Sequence, residues 1–243
     1  MTFANASTLT RSTYRHFIRH FASASLLALG PIVVAVGLSV LMRDLKGWSG
    51  YGVSLGYAFV VVVFVAAVLR RFDGSQTSLW RALKIGRAEL RLTAFSLVLV
   101  MTLTLIAIIY TTIFAMYSLT SWYVYIPAYM VLFGIALRFV VVAPLIVIDD
   151  KTAMKAADFS WYLTTKHKVE IGVAAALVGL PIGYGLPYVF KLVDDGSALM
   201  VLLGVVVNFM GWLMASAFGY CAYEHLSVEK DLQKDVGEAV KSR

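Results

Sequence analysis

The longest charge-free segment of this chain, residues 92–137, runs for 46 residues without a Lys, Arg, Asp or Glu. A helix of about 20 residues crosses the hydrocarbon of a bilayer, so this segment is long enough for two consecutive crossings. The polar residues Ser118, Thr120 and Ser121 mark the turn between them. The sequence therefore predicts a protein that crosses a membrane more than once.

Other charge-free segments predict further spans of similar length. The predicted spans are residues 21–42, 48–69, 92–117, 122–148, 170–190 and 198–223. With 60% apolar residues, 14% charged residues and a mean hydropathy of +0.80, the 243 residues leave no room for a separate soluble domain. We expect an all-α polytopic membrane bundle of about six transmembrane helices. Residues 1–226 are predicted to form a single integral membrane domain, and residues 227–243 a charged cytoplasmic tail.

The positive charge of the chain is concentrated on one side of these spans. Of the 21 Lys and Arg residues, 17 fall in the N-terminal arm, in the segments after the second and fourth spans, and in the tail. The positive-inside rule then predicts that both termini lie in the cytoplasm. We expect a multi-pass protein of the plasma (inner) membrane.

The net charge of +7 would also suit a nucleic-acid partner, but its one-sided placement favours anionic lipid headgroups instead. We therefore expect the lipid bilayer as partner and no nucleic acid. The residues expected at the headgroups are Arg11, Arg15, Arg19, Arg81, Lys84, Arg87 and Arg91.

Three basic amphipathic stretches, residues 7–20, 77–92 and 152–168, precede the first, third and fifth spans. Basic helices with aromatic side chains on their apolar face tend to lie in the membrane interface, so we expect three cytoplasmic interfacial helices. Each begins beside a Ser or Thr that could cap it. The chain could thus contain three copies of one unit, but any even-numbered bundle with positive cytoplasmic loops would show the same arrangement.

Arg138 is the one formal charge placed deep within a predicted span. If one continuous helix led to Asp149, eleven residues later, Arg138 would lie about 15 Å from the cytoplasmic boundary, near the midplane. A guanidinium at that depth costs about 2.5–3.5 kcal/mol, so it needs partners. The candidates are Asn208, hydroxyls of the third span and carbonyls freed by Pro144. Arg138 could anchor an anionic substrate or lipid phosphate, or it could pin helices together.

The fifth span contains several helix breakers, among them Pro181 and Gly183. Discontinuous helices near the midplane often form transporter sites, so a break here would favour a binding site. Small residues and prolines also allow close packing and kinks. The candidate in-membrane polar site therefore comprises Arg138, Asn208, Pro144, Pro181 and Gly183.

No residue pattern in the chain points to catalysis, a metal or a cofactor. His16 and His20 have the spacing that can hold a metal on one helical face, but no Cys or carboxylate accompanies them on the arm. We interpret these histidines as interface residues. We interpret the segment 148–152, which contains Asp149 and Asp150, as the end of a span followed by a helix cap near Thr152 rather than as the site of an acid–base pair. We expect the protein not to be an enzyme.

One part of the chain resembles a known group of membrane proteins. It comprises Arg138, Pro144 and Asp149, followed by an Ala-rich stretch that carries Ser160-Trp161-Tyr162-Leu163-Thr164. This pattern is similar to the membrane domain attached to some glycerophosphodiester phosphodiesterases and to related uncharacterised six-span prokaryotic families. The resemblance implies a helical bundle with cytoplasmic termini. It implies no catalysis, because a separate barrel domain carries the chemistry in those phosphodiesterases.

These observations favour an accessory or regulatory membrane protein that engages lipids, partner membrane proteins or a second copy of the chain. The alternative is a small transporter or permease component with a midplane site near Arg138 and a broken fifth span. A membrane-embedded enzyme acting on lipids is a third, less favoured interpretation.

Overall fold

The computed structural model describes residues 2–44, 48–74, 82–83, 85–116, 125–190 and 198–241, and every long regular element among them is an α-helix. The helices are α1 (Thr2–Asp44), α2 (Trp48–Phe72), α3 (Arg87–Met116), α4 (Tyr125–Arg138), α5 (Val142–Val147), α6 (Ala153–Lys166), α7 (Lys168–Phe190) and α8 (Ala198–Lys241). The predicted all-α fold is therefore confirmed.

Five segments of the described chain are long and apolar enough to cross a membrane. They are Asn5–Leu38, Val53–Phe72, Arg87–Thr112, Met130–Val147 and Leu202–Ser227. In a membrane every backbone polar group must be paired inside the protein, which favours helices for such segments. Length and composition thus agree with a multi-pass membrane protein. The predicted span at 170–190 coincides with α7, of which side chains are described only as far as residue 179.

Helix α1 joins two elements that the sequence analysis separated. We predicted an interfacial helix at 7–20 and a span at 21–42, whereas Thr2–Asp44 is one helix of 43 residues. The Thr10 and Thr13 hydroxyls donate to the carbonyls of Ala6 and Leu9 within the helix, each at 2.8 Å. The expected cap near residue 7 is therefore wrong, because residue 7 lies inside a helix that begins at Thr2.

The core of the bundle lies between α1, α2 and α8. Small side chains such as Ala24 and Ala217 are fully buried there and allow the helices to approach closely. Phe64 of α2 and Phe209 of α8 pack edge to face with ring centroids 4.9 Å apart. A second buried cluster joins the first half of α1 to α5, α7 and the middle of α8, through residues such as Leu9.

The fourth predicted span, residues 122–148, is not one helix. Helix α4 ends at Arg138, residues 139–141 form a turn, and α5 is a short helix of six residues. Pro144 lies in the first turn of α5, where a helix tolerates a residue without a backbone N–H. Beyond this turn and α5, α6 lies against the end of α4.

The fifth predicted span is not broken, contrary to our interpretation of Pro181 and Gly183. Helix α7 runs without interruption from Lys168 to Phe190. Each proline removes one backbone hydrogen bond, whereas unwinding the helix in lipid would leave several polar groups unpaired. Helix α8 is likewise continuous through Lys241, so no break in secondary structure separates the predicted tail from the membrane domain.

The other two predicted interfacial stretches have different outcomes. The stretch 152–168 corresponds to α6, a separate helix of 14 residues that begins after Thr152. In the stretch 77–92, residues 77–81 and 84 lie outside the described residues, and Arg87–Leu92 forms the start of the long helix α3.

Candidate functional site

The candidate site lies where the end of α4 meets α6 and the start of α7. The Arg138 side chain donates from Nη1 to Thr165 Oγ1 at 2.9 Å. Its guanidinium carbon lies 5.1 Å from the centroid of the Trp161 ring, within the range of a cation–π contact. Two residues of α6 thus orient the guanidinium.

The backbone of Arg138 is held by the same helix. The last carbonyls of an α-helix have no partner within the helix, so they need donors from elsewhere. Ser160 Oγ donates to the Arg138 carbonyl at 2.6 Å, and Thr164 Oγ1 lies 3.4 Å from the same oxygen. Both hydroxyl-bearing residues are buried. This bond fixes the end of α4 against α6.

These contacts correct the sequence-based view of Arg138. The distance of about 15 Å from the cytoplasmic boundary assumed one helix from Arg138 to Asp149, but α4 ends at Arg138 itself. The partners are Thr165 and Trp161 rather than Asn208 or hydroxyls of the third span. Sequence reasoning missed both, since nothing local indicates that α6 folds back along α4.

A groove of about 350 Å³ opens beside Arg138, between α4, α6 and α7. Its walls are mostly apolar and include Gly134 and Val169, with Trp161 at one side. Its lining among the described residues contains two cations, Arg138 and Lys168, and no carboxylate. The groove has the size of the smaller ligand pockets and combines apolar walls with a few polar groups, as such pockets do.

The other residues of the predicted in-membrane site lie elsewhere. Asn208 is exposed on α8 and lines a different depression with Gly204 and Trp212. Pro144 is buried in α5, next to Gly219. Pro181 and Gly183 belong to the continuous helix α7, and their side-chain surroundings lie outside the described residues. The structure therefore does not bring Arg138 and Asn208 together.

Asp149 and Asp150 do not cap a helix, and each contacts a residue of another helix. The Tyr223 hydroxyl donates to Asp149 at 2.7 Å, and Lys151 Nζ lies 2.9 Å from the same carboxylate. Arg91 Nη1 lies 2.7 Å from Asp150, which adopts a positive φ of 50°. The N-cap residue of α6 is Thr152, as the sequence predicted, although its side chain makes no capping hydrogen bond, and the two aspartates lie between the end of α5 at Val147 and this cap.

A buried carboxylate that the sequence analysis overlooked joins α7 to α8 and to the turn that precedes α7. Glu170 is 5% exposed, and its oxygens lie 3.2 Å from His167 Nδ1 and 3.1 Å from His225 Nε2. The pair His167 and Glu170, three residues apart, could have been found from helical spacing. His225 is 55 residues further along, and no local pattern indicates it.

A second overlooked carboxylate, Glu89, fixes the start of α3. It is 1% exposed and forms an ion pair with Arg70 of α2. Its other oxygen accepts a hydrogen bond from the Gly86 backbone at 2.8 Å, which is half of a capping box. Arg70 also donates to the Ala82 carbonyl at 3.0 Å. These contacts tie the chain after α2 to the chain before α3.

His16 and His20 pack among rings. Their centroids lie 4.6 Å apart, and the His16 ring meets Phe72 edge-on at 4.7 Å and Tyr220 at 5.0 Å. In the described part of the chain, no three His, Cys, Asp or Glu residues are placed to hold a metal.

The predicted headgroup residues divide into three sets. Arg11, Arg15 and Arg19 are exposed on α1, and Arg87 is exposed at the start of α3. Arg91 is partly buried in its pair with Asp150. Arg81 and Lys84 lie outside the described residues.

Comparison of the chain with protein-family models, curated proteins and solved structures found no similar protein.

Proposed function

We propose that this protein is a six-span protein of the plasma (inner) membrane with both termini in the cytoplasm. It acts without catalysis of its own, as an accessory or regulatory protein. It engages anionic lipid headgroups at the cytoplasmic leaflet, and partner membrane proteins or a second copy of the chain through its apolar flanks.

This proposal rests mainly on one face of α1, where Arg11, Arg15 and Arg19 lie. The three arginines are four residues apart, so they share one helix face, and all are exposed. The opposite face carries Leu9 and Thr13, which are buried in the bundle. The cations are therefore held by a packed helix, in an orientation that does not depend on lipid.

The three cations of this face would attract an anionic membrane surface. Each Lys or Arg next to a membrane contributes about 1 kcal/mol of attraction to an anionic leaflet. The apolar side chains further along α1, such as Val33 at 71% exposed, suit contact with hydrocarbon or with another membrane helix.

The other polar groups near the helix junctions support an accessory role, because they hold the bundle together. Arg70 pairs with Glu89, and Glu170 meets two histidines. The transporter alternative gains no support from the described residues, since α7 is continuous and Asn208 lies apart from Arg138.

Lipid retention by the full-length protein tests the proposal. The protein is reconstituted in nanodiscs that contain phosphatidylglycerol and phosphatidylcholine, and the lipids that remain after partial delipidation are quantified. We expect enrichment of phosphatidylglycerol, and less enrichment when Arg11, Arg15 and Arg19 are all replaced by Gln. Replacement of the same residues by Lys keeps the charge and should keep the enrichment. Equal retention of the two lipids by all three proteins, or turnover of either lipid, would contradict the proposal.

A further inference from the structure

We propose that the groove between α4, α6 and α7 binds one anionic phospholipid of the cytoplasmic leaflet. In this arrangement the phosphate lies between Arg138 and Lys168, and an acyl chain lies along Gly134. This inference rests on the proposed function for the membrane and its sidedness, and it adds a specific site to the general cationic face.

Two cations in the groove complement the negative charge of a phospholipid phosphate. Arg138 and Lys168 both line the groove, and none of its described lining residues is acidic. The nearest acid in sequence, Glu170, has both oxygens engaged by His167 and His225. The local charge at this end of the groove is therefore positive and favours an anion.

The guanidinium of Arg138 is oriented but still has donors to offer. Thr165 accepts from Nη1, whereas an arginine carries five N–H donors in a planar fork. The Trp161 ring lies beside the guanidinium, with its centroid 5.1 Å from the guanidinium carbon. An oriented arginine is well suited to bidentate binding of phosphate oxygens, because less side-chain freedom is lost on binding.

The walls of the groove indicate that the anion belongs to a lipid rather than to a soluble molecule. Val131 and Val169 line the groove and are 45% and 57% exposed, and Met130 nearby on α4 is 69% exposed. In a membrane such a surface faces hydrocarbon. A soluble anion would gain nothing from these walls, whereas an acyl chain buries its apolar surface against them.

Gly134 is one of the residues that line the groove. A Cβ atom built at Gly134 has no neighbour within 4 Å, so the position is open and a larger side chain there would fill the groove without a clash. This allows a variant that blocks the proposed acyl-chain path and leaves Arg138 and Lys168 unchanged.

The first test measures lipid binding to the full-length protein in a neutral detergent by native mass spectrometry, with phosphatidylglycerol and phosphatidylcholine titrated separately. We expect tighter binding of phosphatidylglycerol to the wild type. The double variant Arg138→Gln, Lys168→Gln should bind it at least about tenfold more weakly, which corresponds to about 1.4 kcal/mol. Gly134→Leu should weaken it similarly, although it removes no charge.

Matched controls separate the groove from a general effect of the substitutions. Gly37→Leu is the same substitution at another position with open surroundings, and Lys155→Gln removes one exposed cation that neither lines the groove nor belongs to the cationic face of α1. Both should change the dissociation constant of phosphatidylglycerol by less than about twofold, against the tenfold effect expected in the groove. Unchanged binding in the double variant, or in Gly134→Leu, would overturn the proposal. Displacement of the lipid by excess inorganic phosphate would assign the groove to a soluble anion instead.

A second test uses the wild-type protein, so it does not depend on the folding of a variant. A phosphatidylglycerol analogue with a photoreactive acyl chain is incorporated in nanodiscs, and the labelled peptides are identified. Labelling of the α4 segment around Gly134 and of the start of α7 supports the site. Labelling confined to other surfaces, such as α1, would overturn the proposed lipid site in the groove and would leave the proposed function intact.

Discussion

Gly219 of α8 faces the backbone carbonyl of Val140 so closely that a Cβ atom at residue 219 would lie 2.9 Å from that oxygen. In a regular helix the carbonyl of residue 140 would accept from the backbone N–H of residue 144, but Pro144 has none. The turn after α4 therefore presents an oxygen to α8 at a position where only glycine fits without displacement.

Replacement of Gly219 by Ala should destabilise the bundle. The contact is with a backbone oxygen, which cannot rotate away as a side chain could. We therefore expect the free energy of unfolding to fall by about 1–3 kcal/mol. Thermal unfolding in detergent measures the effect. Gly211→Ala is the matched control, since it lies on the same helix with nothing within 4 Å of a new Cβ. Equal melting temperatures for the two variants would contradict the close approach.

Replacement of Ser160 by Ala should loosen the junction of α4 and α6. The variant removes the 2.6 Å bond to the Arg138 carbonyl and leaves Thr164 as the remaining hydroxyl near it. We expect a loss of about 0.5–1.5 kcal/mol, the usual net contribution of one hydrogen bond. Ser216→Ala is the control, because Ser216 bonds only the Trp212 carbonyl of its own helix among the contacts described. A Ser160 variant as stable as this control would argue against the junction.

Glu89→Gln should be among the most damaging single substitutions of a charged residue. It removes the carboxylate that pairs with Arg70, at a position where Glu89 is 1% exposed. We expect the free energy of unfolding to fall by about 2 kcal/mol. This is less than the usual cost of breaking a buried ion pair, because Arg70 retains other contacts, such as its bond to the Ala82 carbonyl. Asp150→Asn removes an exposed partner of Arg91 and should change stability by less than about 1 kcal/mol. Unfolding of both variants under the same conditions compares the two ion pairs, and the reverse order would be inconsistent with the burial of Glu89.

Ala22→Pro tests the continuity of α1. Residue 22 is exposed and lies at the junction that the sequence predicted between an interfacial helix and a span. A proline inside a continuous helix costs about 3 kcal/mol, whereas a joint between two helices would tolerate it. Ala22→Ser controls for the loss of alanine. A proline variant that expresses and unfolds like the serine variant would mean that the chain has a joint there.

Hydropathy predicted where apolar helices occur, but not where each one begins and ends. In α1 the composition changes near residue 20 from basic to apolar, and we placed a boundary there. Polarity determines where a helix lies relative to a membrane, whereas backbone hydrogen bonding determines whether the helix continues. Helix α1 continues past residue 20 to Asp44. The reverse error occurred at residues 122–148, where we predicted one span across Arg138, but α4 ends at that residue.

The candidate site could be predicted only in part. A charge among apolar residues identified Arg138 from the sequence, and helical spacing could have identified the contact of His167 with Glu170. The partners Thr165 and Trp161 depend on α6 folding back along α4, which is a tertiary relationship. The same holds for Gly219, since nothing in the residues around it indicates that a carbonyl of another helix approaches it.

The sidedness of the chain is the central claim, because the cationic face and the proposed lipid site both require it. Single cysteines in a Cys221→Ala background are treated in intact cells with a membrane-impermeant maleimide. The substitutions Ser121→Cys and Ser197→Cys should be labelled from outside, and Ser7→Cys and Ser227→Cys only after the membrane is opened. Labelling of Ser7→Cys or Ser227→Cys in intact cells would contradict the account.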